Sequence, residues 1–214
     1  MMIDVKKYTH LIWDWNGTLL DDVWLCVDVM NGMLKEYGLP LRTIEEYQQV
    51  FDFPVKDYYE KLGYDFNQVP FDVVGMDYIR RYNLRYKEFS LFPEVPAVLS
   101  FFKSKGYTQY ILSAREHNEL ISETKSLGVF GYFEDICGLD DHYAHGKSET
   151  GLLLISKIKA PKENILFIGD TRHDAEVAGE LGIDCVLVTN GHHSKARLNK
   201  LGVPMVPTLD DLIK

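Results

Sequence analysis

Four places along the chain combine residue types and spacing that could do chemistry. Asp14 sits in Trp13-Asp14-Trp15-Asn16-Gly17-Thr18-Leu19, at the end of a short apolar run. Taken alone, Asn16-Gly17 reads equally well as a hairpin turn. Ser113 follows Tyr110-Ile111-Leu112, where the carboxyl end of a strand would present a hydroxyl. Lys147 precedes a helical pattern and supplies a fixed positive charge suited to a phosphate oxygen. Gly169-Asp170-Thr171-Arg172-His173-Asp174 follows Ile165-Leu166-Phe167-Ile168. Two aspartates four apart at a strand-to-helix junction suit a hard divalent cation. Magnesium in particular favours one or two carboxylates plus waters and substrate oxygens.

Elements must bring these residues together. Residues 9–15, 107–112, 164–168 and 184–188 are near-continuous apolar runs, the pattern of strands buried on both faces of a parallel sheet. Between them, 96–105, 117–127, 148–159 and 175–181 read as helices, most closed by a glycine. Alternation of this kind predicts βαβ units and a layered α/β fold. Residues 21–89 break the rhythm: 24–37, 43–51, 54–62 and 71–88 all read as helical. The spacing of Tyr78, Tyr82 and Tyr86 predicts a packing face on the last of these. The chain therefore divides into a sheet domain, 1–20 and 90–214, interrupted by a helical insertion at 21–89. In an open α/β sheet, ligands bind beyond the carboxyl ends of the strands. Asp14, Ser113 and Asp170 all follow strands, and Lys147 reaches the same edge, so the four propose one site.

The order DxxGTL, hydrophobic-Ser, Lys, GDxxxD resembles the haloacid dehalogenase superfamily of aspartyl phosphotransferases, over nearly the whole chain. The helical insertion resembles the cap of its phosphoglycolate phosphatase-like branch. The resemblance implies a three-layer Rossmann-like parallel-sheet core with an all-helical cap. It further implies that Asp14 attacks phosphorus and that Ser113, Ala114 and Lys147 bind the phosphoryl group. Mg²⁺ would sit on Asp14, the backbone carbonyl of Asn16 and Asp170, with Asp174 in support. The substrate expected from it is a small phosphorylated metabolite, chosen by the cap. Phosphoryl transfer needs positioning and charge neutralisation above all, which a metal and a lysine supply.

Position 16 departs from the pattern. Phosphatases of this family usually carry aspartate there to protonate the leaving oxygen; an amide holds the loop but shuttles no proton. General acid–base groups contribute about 10²–10⁴-fold, so Asn16 predicts a slow phosphatase or one selective for good leaving groups. Two other readings follow. Phosphonoacetaldehyde hydrolase, a relative lacking the same acid, uses a cap lysine to form a Schiff base, and Lys56 lies in about the right part of the insertion. A weakened paralogue that binds a phosphorylated ligand or a protein partner is the other.

Composition limits the partners. The 214 residues carry a net charge of −9, which argues against nucleic acid and anionic membranes. Cys26, Cys137 and Cys185 show no paired spacing and read as reduced thiols, consistent with a cytoplasmic protein, monomer or homodimer. Gly146-Lys147-Ser148 mimics the end of a phosphate-binding loop, but that motif needs glycine where Asp141 stands. His142, His145, His192 and His193 lack a third zinc ligand at convincing spacing and read as surface or loop residues. Arg115 and His117 read equally as substrate-facing or helix-starting, and Asp21-Asp22 as the start of the first cap helix.

Overall fold

The computed structural model describes residues 3–140 and 146–214. Asp141, His142 and His145, weighed above, lie outside the described residues. The chain enters the core on β1 (His10–Trp13) and then runs through α1 (Val23–Glu36), α2 (Ile44–Val50), α3 (Val55–Leu62) and α4 (Phe71–Leu84). It returns through α5 (Val95–Ser104) to β2 (Thr108–Glu116), α6 (His117–Ser126), β3 (Asp135–Leu139) and α7 (Lys147–Lys157). β4 (Ile165–Gly169), α8 (Arg172–Leu181), β5 (Asp184–Val188), α9 (Lys195–Leu198) and β6 (Met205–Val206) complete it.

The six strands form one parallel sheet in the order β3-β2-β1-β4-β5-β6. This is the α/β architecture expected from the alternation of runs, with two strands added. β3 escaped the sequence pattern because Asp135 and Gly138 interrupt its apolar residues, and β6 because it is two residues long. Ser113 also sits inside β2 rather than after it, because that strand continues to Glu116.

Strand alternation divides the core in two. Leu11, Trp13, Ile111, Leu166 and Ile168 face α5, α6 and the helical insertion. Ile12, Leu112, Ile165 and Phe167 face the other way and pack with Leu154 of α7 and Val177 and Leu181 of α8. With both faces covered, β1 and β4 are wholly apolar and buried but for His10, as a doubly covered parallel strand must be. Strand order reverses between β1 and β4, and a crevice opens beyond the carboxyl ends at such a switch point. Asp14 follows β1 and Asp170 follows β4, so the topology alone places the two carboxylates at that crevice.

In the insertion, α4 stops at Leu84 and a short 3-10 turn at Tyr86–Glu88 follows, where the sequence suggested one helix to residue 88. The tyrosine row is split accordingly: Tyr82 is buried, Tyr78 half-buried and Tyr86 exposed.

Candidate active site

Asp14, Lys147, Asp170 and Asp174 converge below the insertion, all four buried. The Asp14 amide donates to the Ile168 carbonyl at 2.8 Å, continuing the ladder one residue past β1 and fixing the side chain at the crevice. Lys147, at the start of α7, donates to Asp14 Oδ1 at 2.5 Å and to Asp174 Oδ1 at 2.6 Å. The Thr18 hydroxyl donates to Asp170 Oδ1 at 3.0 Å, and the His192 amide to Asp170 Oδ2 at 2.5 Å. Ser113 Oγ accepts from the Arg115 amide at 3.1 Å, which leaves its hydroxyl proton available. Ser113 and Ala114 both line the cavity between sheet and insertion, with Asp14, Asn16, Lys147 and Asp174.

Asp174 has a folding role that the sequence reading did not assign to it. Thr171 and Asp174 form a capping box at the start of α8. Asp174 Oδ2 accepts from the amides of Asp170 and Thr171 and from the Thr171 hydroxyl, at 3.2, 2.9 and 2.7 Å. Its other oxygen is the one that holds Lys147.

The charges do not balance. Ligand-type oxygens of Asp14, Asp170 and Asp174 lie within 4.8 Å of one another, and one ammonium serves them. Burial, reinforced by the neighbouring carboxylates of Asp174 and Asp170, pushes the Asp14 carboxyl well above the usual range, against the pull of Lys147. Burial opposes charge on Lys147 as well, but Asp14 and Asp174 hold its pKa above that of a free lysine. A divalent cation fits such a set: hard oxygen donors with an uncompensated negative charge. Asp22, Cys26 and His192 also group within 4.8 Å. There burial and Asp22 push the Cys26 thiol up, away from the thiolate a metal needs, and Asp22 already faces His192.

Glycine makes the close approach possible. Gly17 has φ +72°, and a Cβ there would press on the His192 ring and come within 2.5 Å of Asp170 Oδ2. A Cβ on Gly191 would likewise collide with the Asp170 carboxylate. Gly17→Ala combines a left-handed backbone penalty with overpacking, an expected loss of about 2–4 kcal/mol. A urea unfolding midpoint within error of the native protein's would contradict it.

A second network surrounds Asn16. Its amide nitrogen donates to Asp22 Oδ2 at 2.8 Å and to the Tyr82 hydroxyl at 3.0 Å, and Tyr82 donates to the same Asp22 oxygen at 2.7 Å. Asp22 Oδ1 accepts from the Gly17 amide at 2.9 Å and faces His192 Nε2 at 3.3 Å. Asp22 N-caps α1 by position, but its carboxylate makes no capping bond; it is turned into the site instead. Burial disfavours both charges, yet Asp22 lifts His192 to about 9 and His192 draws Asp22 down to about 2, the Asn16 and Tyr82 hydrogen bonds assisting.

His192 and His193 lie in the loop after β5, as a loop reading expects, but neither is on the surface: both are buried. His192 Nδ1 pairs with the Tyr47 hydroxyl at 2.8 Å, and His193 Nδ1 accepts from the Arg172 amide at 3.0 Å. Local sequence offered one signal for His192, its place in Asn190-Gly191-His192 just beyond a buried strand. Arg115 lines the cavity but is held by Glu123, at 2.7 and 3.0 Å, by Asn83 at 2.6 Å and by Glu119 at 2.9 Å. Tyr78 and Tyr82 line the cavity as well, so the packing face is also a binding wall. Lys56 does not come to the site. It is exposed on α3 with its ammonium 5.9 Å from the Phe66 ring, and it is not among the residues lining the cavity.

The family model described as haloacid dehalogenase-like hydrolase matches residues 11–188. The chain belongs to this family of hydrolases. It is 26% identical over 206 residues to the probable phosphatase IndB of Dickeya dadantii, covering 92% of this chain and 87% of that one. It is 25% identical over 186 residues to a phosphoglycolate phosphatase of Rhodobacter capsulatus, covering 85% and 84%. Among solved structures, the haloacid dehalogenase-like hydrolase SP0104 of Streptococcus pneumoniae superposes with a TM-score of 0.82 at 21% identity, over 97% of this chain and 98% of that one. The Protein Tyrosine Kinase A of Mycobacterium tuberculosis superposes with a TM-score of 0.80 at 21% identity, over 97% of each. The haloacid dehalogenase-like fold thus carries more than one activity, and what this hydrolase does must be argued from its site.

Proposed function

We propose that this haloacid dehalogenase-like hydrolase is a phosphatase that takes the phosphoryl group of a small metabolite onto Asp14. The observation that carries the reading is Asp14 itself: a buried carboxylate at the sheet's switch point, lining the cavity and held at 2.5 Å by Lys147. The names of the relatives in Dickeya dadantii and Rhodobacter capsulatus support the same class.

Asp14, Asp170 and the Asn16 backbone would hold Mg²⁺, with Asp174 behind them. When bound, the ion supplies positive charge that offsets repulsion between the nucleophile and an anionic ester. One Asp14 oxygen forms a bond to phosphorus while the bond to the leaving oxygen breaks with its electron pair. Lys147 and the Ser113 hydroxyl steady the equatorial oxygens. Water then cleaves the aspartyl-phosphate, releasing phosphate and restoring Asp14.

Asn16 holds no proton to donate, and its amide is spent on Asp22 and Tyr82. Leaving groups that depart as stable anions are therefore favoured. The test is hydrolysis of 4-nitrophenyl phosphate, whose leaving group asks nothing of an acid. Chelation with EDTA is expected to lower the rate at least about 10²-fold, as removal of a transition-state charge clamp does, with recovery on adding Mg²⁺. Equal phosphate release with and without the chelator would overturn the metal assignment.

A further inference from the structure

The cavity above Asp14 has a volume of about 190 Å³, more than the roughly 150 Å³ apolar cavity that suffices to hold benzene. Its far wall is aromatic. Tyr47 and Phe51 stack at 5.0 Å and 21°, and Tyr58 stands edge-on to both, at 5.9 and 5.2 Å with interplanar angles of 86° and 80°. These rings, with Phe53 and Tyr59, line the space in which the part of the substrate beyond phosphorus must lie. Such a wall offers faces and edges to another ring.

Its cations are committed. Among the described residues lining the cavity, Lys147 is paired with Asp14 and Asp174, Arg115 with Glu119 and Glu123, and His192 with Asp22. A second anionic group on the substrate, such as the carboxylate of phosphoglycolate, would meet no free counter-charge there, and desolvating it unpaired is costly.

We propose that the substrate is an aryl phosphate or aromatic acyl phosphate whose ring packs against the wall of Tyr47, Phe51 and Tyr58. This rests on the phosphatase reading above and narrows it. The step balances without a proton donor: the Asp14 oxygen bonds phosphorus, and the phenolate or carboxylate leaves with the electron pair of the broken P–O bond. Water then returns Asp14 and yields phosphate. The absence of a general acid at Asn16 and the aromatic wall thus select the same compounds by separate routes, one through leaving-group acidity and the other through packing.

The experiment compares two acyl phosphates of similar leaving-group acidity, acetyl phosphate and benzoyl phosphate, with Mg²⁺ present. Benzoyl phosphate is expected to have the higher kcat/KM by at least about tenfold, the effect of burying one ring. Hydrolysis of acetyl phosphate as fast as benzoyl phosphate would leave the phosphatase reading standing and overturn the aromatic assignment. Failure to cleave either acyl phosphate, or 4-nitrophenyl phosphate, would overturn the phosphatase reading and this inference with it.

Discussion

Asp14→Asn is expected to lower kcat for 4-nitrophenyl phosphate by about 10⁴-fold or more, the order seen when a covalent nucleophile is removed. The side chain keeps its shape, and an amide oxygen still accepts from Lys147, so the cavity should be preserved. What disappears is the carboxylate oxygen proposed to bond phosphorus. The protein should not be less stable for the change. Burial and two neighbouring carboxylates disfavour the charge on Asp14, and a neutral amide removes that repulsion from the metal-free protein. Thermal unfolding in EDTA is thus expected at the same temperature or higher, which separates loss of chemistry from loss of fold. Acid quench during turnover should trap a phosphorylated native protein and none in the variant. Retention of a tenth of native kcat would show that phosphorus is attacked by something else.

Asn16→Asp carries the second large effect, in the opposite direction. Supplying a general acid should raise the hydrolysis of alkyl phosphates by at least about tenfold and by as much as 10²–10⁴-fold. Aryl and acyl phosphates, whose leaving groups need no proton, should change by less than about threefold. The structure adds a reason for the new carboxyl to be protonated when it is needed. It would replace an amide nitrogen 2.8 Å from Asp22 Oδ2, and two buried carboxylates in contact cannot both ionise readily, so one pKa rises. The same contact carries a stability cost of about 1–3 kcal/mol, because a hydrogen bond to Asp22 is exchanged for a carboxyl that must take up a proton or face a like charge. The check is kcat/KM plotted against leaving-group pKa for both proteins. A steep native dependence that flattens in the variant supports the argument; parallel lines would end it.

Asp22 itself changes meaning once the fold is known. In the sequence it is one of two acids opening a helix, and charge at a helix start is common. In the structure its two oxygens gather the Gly17 amide, Asn16, Tyr82 and His192. Asn16 is therefore not simply a residue missing its acid. It is a neutral donor that, behind His192, helps a buried Asp22 stay ionised beside Asp14.

Much of the core was legible from sequence because its determinants are local. A run such as Ile165-Leu166-Phe167-Ile168, short, rich in β-branched residues and with no polar residue, is the pattern of a strand covered on both faces, as in a parallel sheet. Parallel strands present their carboxyl ends along one edge, so residues following them converge wherever the chain returns. Asp14 and Asp170 gather for that reason, and Lys147 at a helix start reaches Asp14 and Asp174. Asp174 was legible as a carboxylate at that edge; its capping of α8 is a separate four-residue pattern, Thr171 to Asp174.

The wall of the cavity was decided by tertiary structure alone. Tyr47, Tyr58, Tyr82 and His192 lie on α2, α3, α4 and the loop after β5, separated by up to 145 residues. Helical spacing shows which face of each helix is apolar, and an apolar face reads the same whether it packs on a neighbour or borders a ligand. Only the way the helices sit over the sheet keeps Lys56 out of the cavity and brings Tyr47, Tyr58 and Tyr82 together as its wall.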